Sequence, residues 1–149
     1  LNGLNYLQSI AADTSVWVLV HDAARPCVLI NRIEALIEVA KQDEQGAMLA
    51  VPVADTLKRS VQGTDRIEKT VSRENIWRGN TPQYFPVSAL AEAIETAKRA
   101  GVLVTDEASA MEFAGYQPHL VADSATNIKV TLSEDSALAA LYLKYYDAK

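Results

Sequence analysis

Three observations predict an α/β fold for this chain. Valine-rich apolar runs, VWVLV (Val16 to Val20) and AMLAVPV (Ala47 to Val53), have the pattern of strands covered on both faces, as in parallel sheets. They alternate with stretches whose apolar residues recur every three or four positions, the mark of helices with one apolar side. The length, 149 residues with 49% hydrophobic and 22% charged, is enough for one sizeable core without a metal or disulfide staple. A parallel α/β layer in one domain spanning residues 1–149 is the expectation.

The elements follow in order. LNGLNYLQSIAAD (Leu1 to Asp13) places Leu1, Leu4, Leu7 and Ile10 on one helix face. No Ser, Thr, Asp or Asn precedes it to take up the first-turn N–H groups, so the chain reads as starting inside a helix of a longer polypeptide. After the Val16 to Val20 strand, LINRIEALIEVAKQ (Leu29 to Gln42) is a second helix with Ile33, Leu36, Ile37 and Ala40 inward, and Ala47 to Val53 is the next strand. From Asp55 to Pro86 the chain turns polar and turn-rich. Candidate strands Asp55 to Ser60 and Arg66 to Thr70 flank Gln62-Gly63-Thr64-Asp65, which predicts a hairpin arm over residues 54–86. A two-stranded hairpin is marginal alone, so the arm lies either on its own domain or on a second copy of the chain.

Helical spacing resumes in PVSALAEAIETAKRAG, with Leu90, Ala93, Ile94 and Ala97 on one face and Gly101 as the stop. In VLVTDEASAMEFAG, Thr105 is the expected N-cap, Asp106 and Glu107 sit favourably in the first turn, and Gly115 closes the helix. His119 to Ala122 and Asn127 to Val130 read as short strands. Thr131 with Glu134 reads as a capping box, opening a last helix faced by Leu138, Leu141, Tyr142 and Tyr145.

Composition narrows the function classes. The formal charge is −5 with both signs interspersed and no polybasic block, which disfavours nucleic acid and anionic membranes. No apolar run approaches the roughly 18 residues of a membrane span, and no signal peptide is evident. The single cysteine, Cys27, cannot form an internal disulfide and fits a reducing compartment, so a cytoplasmic location is expected. Cys27 has no spaced base and reads as a small packed residue. His21 and His119 lack companions at zinc-ligand spacing. Neither GxGxxG nor the P-loop pattern occurs, and there are only six glycines.

The chemistry is concentrated where the first strand ends, in VHDAARP (Val20 to Pro26). Ligands of open α/β sheets sit at the carboxyl ends of strands. Asp22 can accept from substrate hydroxyls and Arg25 can fork a phosphate, or the two can pair with each other. Asp22 alone also suits Mg²⁺, a hard cation that keeps water and phosphate as its other ligands. Thr105 at a helix start is first of all a cap, though a helix start also receives anions. Lys129 lies among uncharged residues and either meets solvent or points at an anion.

Taken together, VHDAARP, PVADTLKR (Pro52 to Arg59), TVSR (Thr70 to Arg73), TPQYF (Thr81 to Phe85), TDEASAMEFAG (Thr105 to Gly115) and NIKVT (Asn127 to Thr131) form an ordered series along the whole chain. The series closely resembles the 2-C-methyl-D-erythritol 4-phosphate cytidylyltransferase family. The resemblance implies a Rossmann-like α/β sandwich of the nucleotide-diphospho-sugar transferase kind, truncated at the N-terminus, whose protruding β-arm interlocks two subunits of a homodimer. It implies that CTP, with Mg²⁺ on its triphosphate, and methylerythritol phosphate react to give 4-diphosphocytidyl-methylerythritol and pyrophosphate, a step of non-mevalonate isoprenoid biosynthesis.

By residue, the resemblance makes Arg73 and Lys129 the pair that positions the methylerythritol phosphate. It places Asp22, Arg25, Thr56, Thr81 and Thr105 at further substrate-side positions, some of them reached across the dimer. Ala23 falls where the backbone approaches the nucleotide, which Lys129 also reaches. The family's glycine-rich loop, of the PAAGxGxR type, has no counterpart in these residues. The chain alone is therefore expected not to turn over CTP, and to expose an apolar sheet edge. The alternatives are a nucleotidyltransferase for another polyol or sugar phosphate, and a dimerisation fragment without catalysis.

Overall fold

The computed structural model describes residues 1–10 and 15–147, so residues 11–13 of the expected opening helix lie outside the described residues. In chain order the elements are α1 (Asn2–Ile10), β1 (Trp17–Val20), α2 (Ile30–Ala40), β2 (Ala47–Pro52), β3 (Leu57–Ser60), β4 (Ile67–Val71), β5 (Trp77–Pro86), α3 (Val87–Arg99), α4 (Glu107–Phe113), β6 (His119–Ala122) and α5 (Ser133–Asp147).

Four strands form one sheet in the order β1-β5-β2-β6. β2 and β6 run parallel, but β5 lies antiparallel to both β1 and β2, so the sheet is mixed and the wholly parallel layer expected from the valine runs is corrected. The strand that makes the difference is β5, whose sequence WRGNTPQYFP falls within the polar, turn-rich stretch expected to belong to the arm. Its inward side is instead buried, from Asn80 through Pro82 and Gln83 to Phe85. A proline is accepted inside a sheet chiefly at a bulge. Between the pairs Met48↔Gln83 and Ala50↔Gly79, β2 advances by two residues while β5 advances by four. The excess length bulges β5 out of the ladder at Asn80, Thr81 and Pro82.

Residues alternate across the sheet and build a core on each face. On one side Met48, Phe85, Leu90 and Met111 gather with Leu4, joining α1, α3 and α4, with Val18 and Val20 alongside. On the other, Leu49, Ala47 and Val121 pack on Leu36 and Ala40 of α2. Gly46 admits the close approach of β2 to β5: its φ is +79°, and a Cβ there would fall inside the Phe85 ring.

The arm is the hairpin β3–β4, a separate two-stranded sheet with Gly63 in its turn at φ +76°. It continues the β2–β5 pair, since the Val53 N–H donates to the Ile76 carbonyl at 3.0 Å just beyond the ends of both strands. Lys58 Nζ meets Thr70 Oγ1 across the hairpin at 2.7 Å, while Ile67 stays 64% exposed.

Three local expectations are corrected. The N-cap of α4 is Asp106, whose side chain accepts from the Ser109 N–H while Ser109 Oγ accepts from the Asp106 N–H; Thr105 lies one residue outside it. Residues 127–130 form no strand, because their amides turn to local and loop carbonyls: Asn127 to Ser124, Ile128 to Thr126 and Val130 to Ala24. At the start of α5, Asp135 rather than Glu134 reaches back, accepting from the N–H groups of Thr131 and Leu132. The face of α5 expected to be inward is largely exposed at Leu138, Leu141 and Tyr145. The helix docks instead through buried Ala139, with Thr126 Oγ1 and the Tyr146 hydroxyl 2.8 Å apart.

Candidate functional site

β1 ends at Val20 and the chain enters a tight loop, closed by the Arg25 N–H donating to the Asp22 carbonyl at 2.9 Å. The loop is stitched to the segment before α5 by the Val130 N–H donating to the Ala24 carbonyl at 2.8 Å and by Arg25 Nη1 donating to the Asn127 carbonyl at 2.8 Å. These bonds bring Lys129 over the loop. Lys129 Nζ lies 3.0 Å from Asp22 Oδ2, and Arg25 Nε 3.4 Å from the same oxygen. Of the two readings of the Asp22–Arg25 pair, the internal pairing is the one seen, with Lys129 as a second cation at the same carboxylate.

The charges differ in freedom. The Arg25 side chain is 12% exposed and serves largely as a brace, whereas that of Lys129 is 49% exposed and can turn to an incoming anion. The Asp22 carboxyl is held below its ordinary range, first by the hydrogen bond from Lys129 and then by the charges of Lys129 and Arg25, against the partial loss of water. It is ionised at neutral pH and offers acceptor oxygens beside a solvent-exposed ammonium.

Thr81 stands at the β5 bulge, where its hydroxyl accepts from the Asp22 N–H at 2.9 Å. Beneath it is a polar network that sequence reasoning missed. The Asn127 side-chain NH₂ donates to the Thr81 carbonyl at 2.8 Å and to Asp123 Oδ2 at 2.7 Å, and Asn80 Nδ2 donates to the same Asp123 oxygen at 2.8 Å. Asn80 and Asn127 are each 1% exposed. Their NH₂ groups lock β5 to the segment carrying Lys129, while the Oδ1 atoms of both amides are buried without a hydrogen-bond partner. No periodicity marks them, since a buried Asn in NTPQ or NIKV looks like a loop residue. Pairing with a carboxylate four residues earlier, Asp123 with Asn127, was the available signal.

The remaining expected residues stand apart. Gln83, two positions beyond Thr81, binds Asp106 at 3.0 Å and the Ala108 N–H at 2.8 Å, fixing the start of α4 with Thr105 exposed beside it. Ala23 is exposed at the loop's tip. Thr56 and Arg73 lie at the root of the arm; Arg73 Nη1 donates to the Ala54 carbonyl, and neither residue bonds to the Asp22 cluster. Among the described residues no group of three or more His, Cys, Asp or Glu side chains could hold a metal ion. The one carboxylate at the cluster, Asp22, is already shared by two cations, so these residues do not fit an all-protein Mg²⁺ cage. No helix among the described residues is long and apolar enough to cross a membrane.

Comparison with known proteins agrees along the chain. A family model described as 2-C-methyl-D-erythritol 4-phosphate cytidylyltransferase matches residues 1–145. A relative so named from Tolumonas auensis is 52% identical over 141 residues, covering 95% of this chain and 60% of that protein. One from Haemophilus influenzae strain PittEE is 50% identical over 143 residues, covering 96% and 60%. The crystal structure of the Francisella tularensis 2-C-methyl-D-erythritol 4-phosphate cytidylyltransferase superposes with a TM-score of 0.83 at 38% identity, over 94% of this chain and 65% of that one. The chain thus spans about 60% of the length of the curated relatives it matches.

Proposed function

Since the chain belongs to the 2-C-methyl-D-erythritol 4-phosphate cytidylyltransferase family, we propose that its Asp22, Arg25, Thr81 and Lys129 cluster holds the polyol phosphate for cytidylyl transfer from CTP. The observation that carries the reading is the meeting of Lys129 with Asp22 at 3.0 Å, which joins an anion-seeking ammonium to a hydroxyl-accepting carboxylate across more than 100 residues of chain.

In this reading a phosphate oxygen of methylerythritol phosphate attacks the α-phosphorus of CTP. The bond to the β-phosphate oxygen breaks, and pyrophosphate leaves. Such a reaction asks the protein mainly for alignment and for cations that spread the developing charge. Lys129 leaves Asp22 in part to meet the phosphate, Asp22 takes the polyol hydroxyls, and Arg25 stays as the brace. Arg73 and Thr56, at the arm's root, act on the site of a second subunit in a homodimer. That arrangement is supported by a hairpin whose strands pair, among the described residues, with each other and not with the main sheet, and which bears exposed Ile67. Thr105 completes the substrate side beside the capped start of α4, and the backbone at Ala23 faces the nucleotide. No residue of the cluster would hold Mg²⁺; carried by the triphosphate, the ion would supply charge screening there.

The sequence carries no glycine-rich loop for a triphosphate, so these 149 residues alone do not release pyrophosphate. The test is pyrophosphate release from CTP and methylerythritol phosphate by this chain and by a chimera in which it replaces the matching 60% of the Tolumonas auensis protein. Activity is expected in the chimera only, and Arg73→Ala should abolish it. Turnover by the chain alone would refute the division of labour. A chimera that works only with another polyol phosphate would refute the substrate.

A further inference from the structure

His21 stands in the cluster without a task in that reading. Its ring closes the loop that carries Asp22 and Arg25: Nε2 lies 3.0 Å from the Arg25 carbonyl oxygen, and Nδ1 lies 3.0 Å from Thr81 Oγ1. The Asp22 N–H donates to that same hydroxyl oxygen at 2.9 Å. A carbonyl oxygen only accepts, so Nε2 carries the ring proton. In the neutral ring Nδ1 is then a bare lone pair, and the Thr81 hydroxyl must donate to it.

The accounting at Thr81 follows. With its proton committed to His21 and one lone pair to the Asp22 amide, the hydroxyl keeps one lone pair for a ligand and can only accept. Protonation of the ring reverses this. An imidazolium donates from both nitrogens, so Nδ1–H takes the second lone pair and the hydroxyl proton is released toward whatever fills the site.

We propose that His21 is a positioning residue that sets the sense of the Thr81 hydrogen bond to the bound polyol phosphate: acceptor from a ligand hydroxyl when the ring is neutral, donor to a phosphate oxygen when it is protonated. The inference rests on the polyol-phosphate reading of the site and requires no contact between His21 and the ligand. Thr81 is half-buried, open to a ligand, and His21 is exposed, open to protons from solvent. The titratable and charged groups around the ring are Asp22 and Arg25 on its own loop, Lys129 held at Asp22, and Glu107 of α4 and Tyr6 of α1, which line the same groove as His21. Imidazole as a side-chain type changes charge between about pH 5 and 8, which sets the range over which the test is run.

The test is a set of affinities for 2-C-methyl-D-erythritol 4-phosphate, measured by calorimetry between pH 5.5 and 8 on wild type, Thr81→Val and Thr81→Ser, each with and without His21→Gln. The ligand's own phosphate titration is common to all six and cancels in the ratios. As pH falls, wild type should gain about three- to tenfold over His21→Gln, the worth of one hydrogen bond. That gain should vanish in the Thr81→Val background and survive in Thr81→Ser. A gain that persists with Thr81→Val means that His21 acts by charge alone and overturns the proposal. So does a ratio that stays flat with pH. If wild type binds no polyol phosphate at any pH, the functional reading falls and the ring itself decides the inference: long-range ¹H–¹⁵N spectra of the free chain at pH 8 must show the proton on Nε2, and a dominant Nδ1–H form overturns it.

Discussion

At the scale of single residues, Asp22 is the point where the two halves of the cluster meet, and its titration reports that meeting. Its folded-state value lies below the ordinary carboxylate range because Lys129 donates to it and Lys129 and Arg25 face it. A depressed value means that the pairing stabilises the fold above the unfolded value of about 3.9 and is lost as pH falls through the lowered one. Lys129→Met should therefore move the Asp22 carboxyl signal in ¹³C spectra upward in pH, with Arg25 holding part of the shift. An unmoved signal would show that the ion pair does not form in solution. The reach of sequence reasoning is visible in the same residues. Asp22, Arg25 and Lys129 were legible as charges in apolar surroundings, and their order along the chain matched a family. The meeting of Lys129 with Asp22 was not legible, because it depends on the buried amides of Asn80 and Asn127, whose bonds to Asp123 and to the Thr81 carbonyl span 43 and 46 residues of chain.

Among the elements, α4 shows how a local rule can pick the right turn and the wrong residue. Thr105 and Asp106 are both good caps, and the choice fell to Asp106 because Ser109 completes a reciprocal pair with it. Asp106→Ala should cost about 0.5–2 kcal/mol in urea unfolding, whereas Thr105→Ala should cost little, its hydroxyl capping nothing. Equal costs would restore Thr105 as the cap. The strand β2 carries a second element-scale expectation. Gly46→Ala adds a methyl where φ is positive and the Phe85 ring already fills the space, and should destabilise the chain by about 2 kcal/mol or more. A melt within a degree of wild type would count against that packing. Regular helices and the valine strands were readable because their periods are dictated by burial on one or both faces. β5 was not, because its polar residues are buried through hydrogen bonds, which leave no hydrophobic period to read.

For the whole molecule, the sheet divides the labour: its two faces build cores on helices, and the end of β1 and the bulge of β5 build the cluster. Subunit association is the proposal with the plainest test at this scale. The chain should elute from a sizing column as a dimer, and Ile67→Asp, on the exposed arm, should shift it to monomer with the melting temperature of the separate fold unchanged. A wild-type monomer would remove the arm from association. The nested hairpin has a further consequence, for length. Because β3–β4 extends the same pair of strands that carries the bulge, the turn at residues 61–66 can gain or lose residues without touching Thr81, while one residue inserted between Trp77 and Gly79 would turn every later side chain of β5 to the opposite face. Length changes should thus be tolerated in the turn at residues 61–66, whereas an insertion between Trp77 and Gly79 should abolish polyol-phosphate binding, which calorimetry on the two length variants checks.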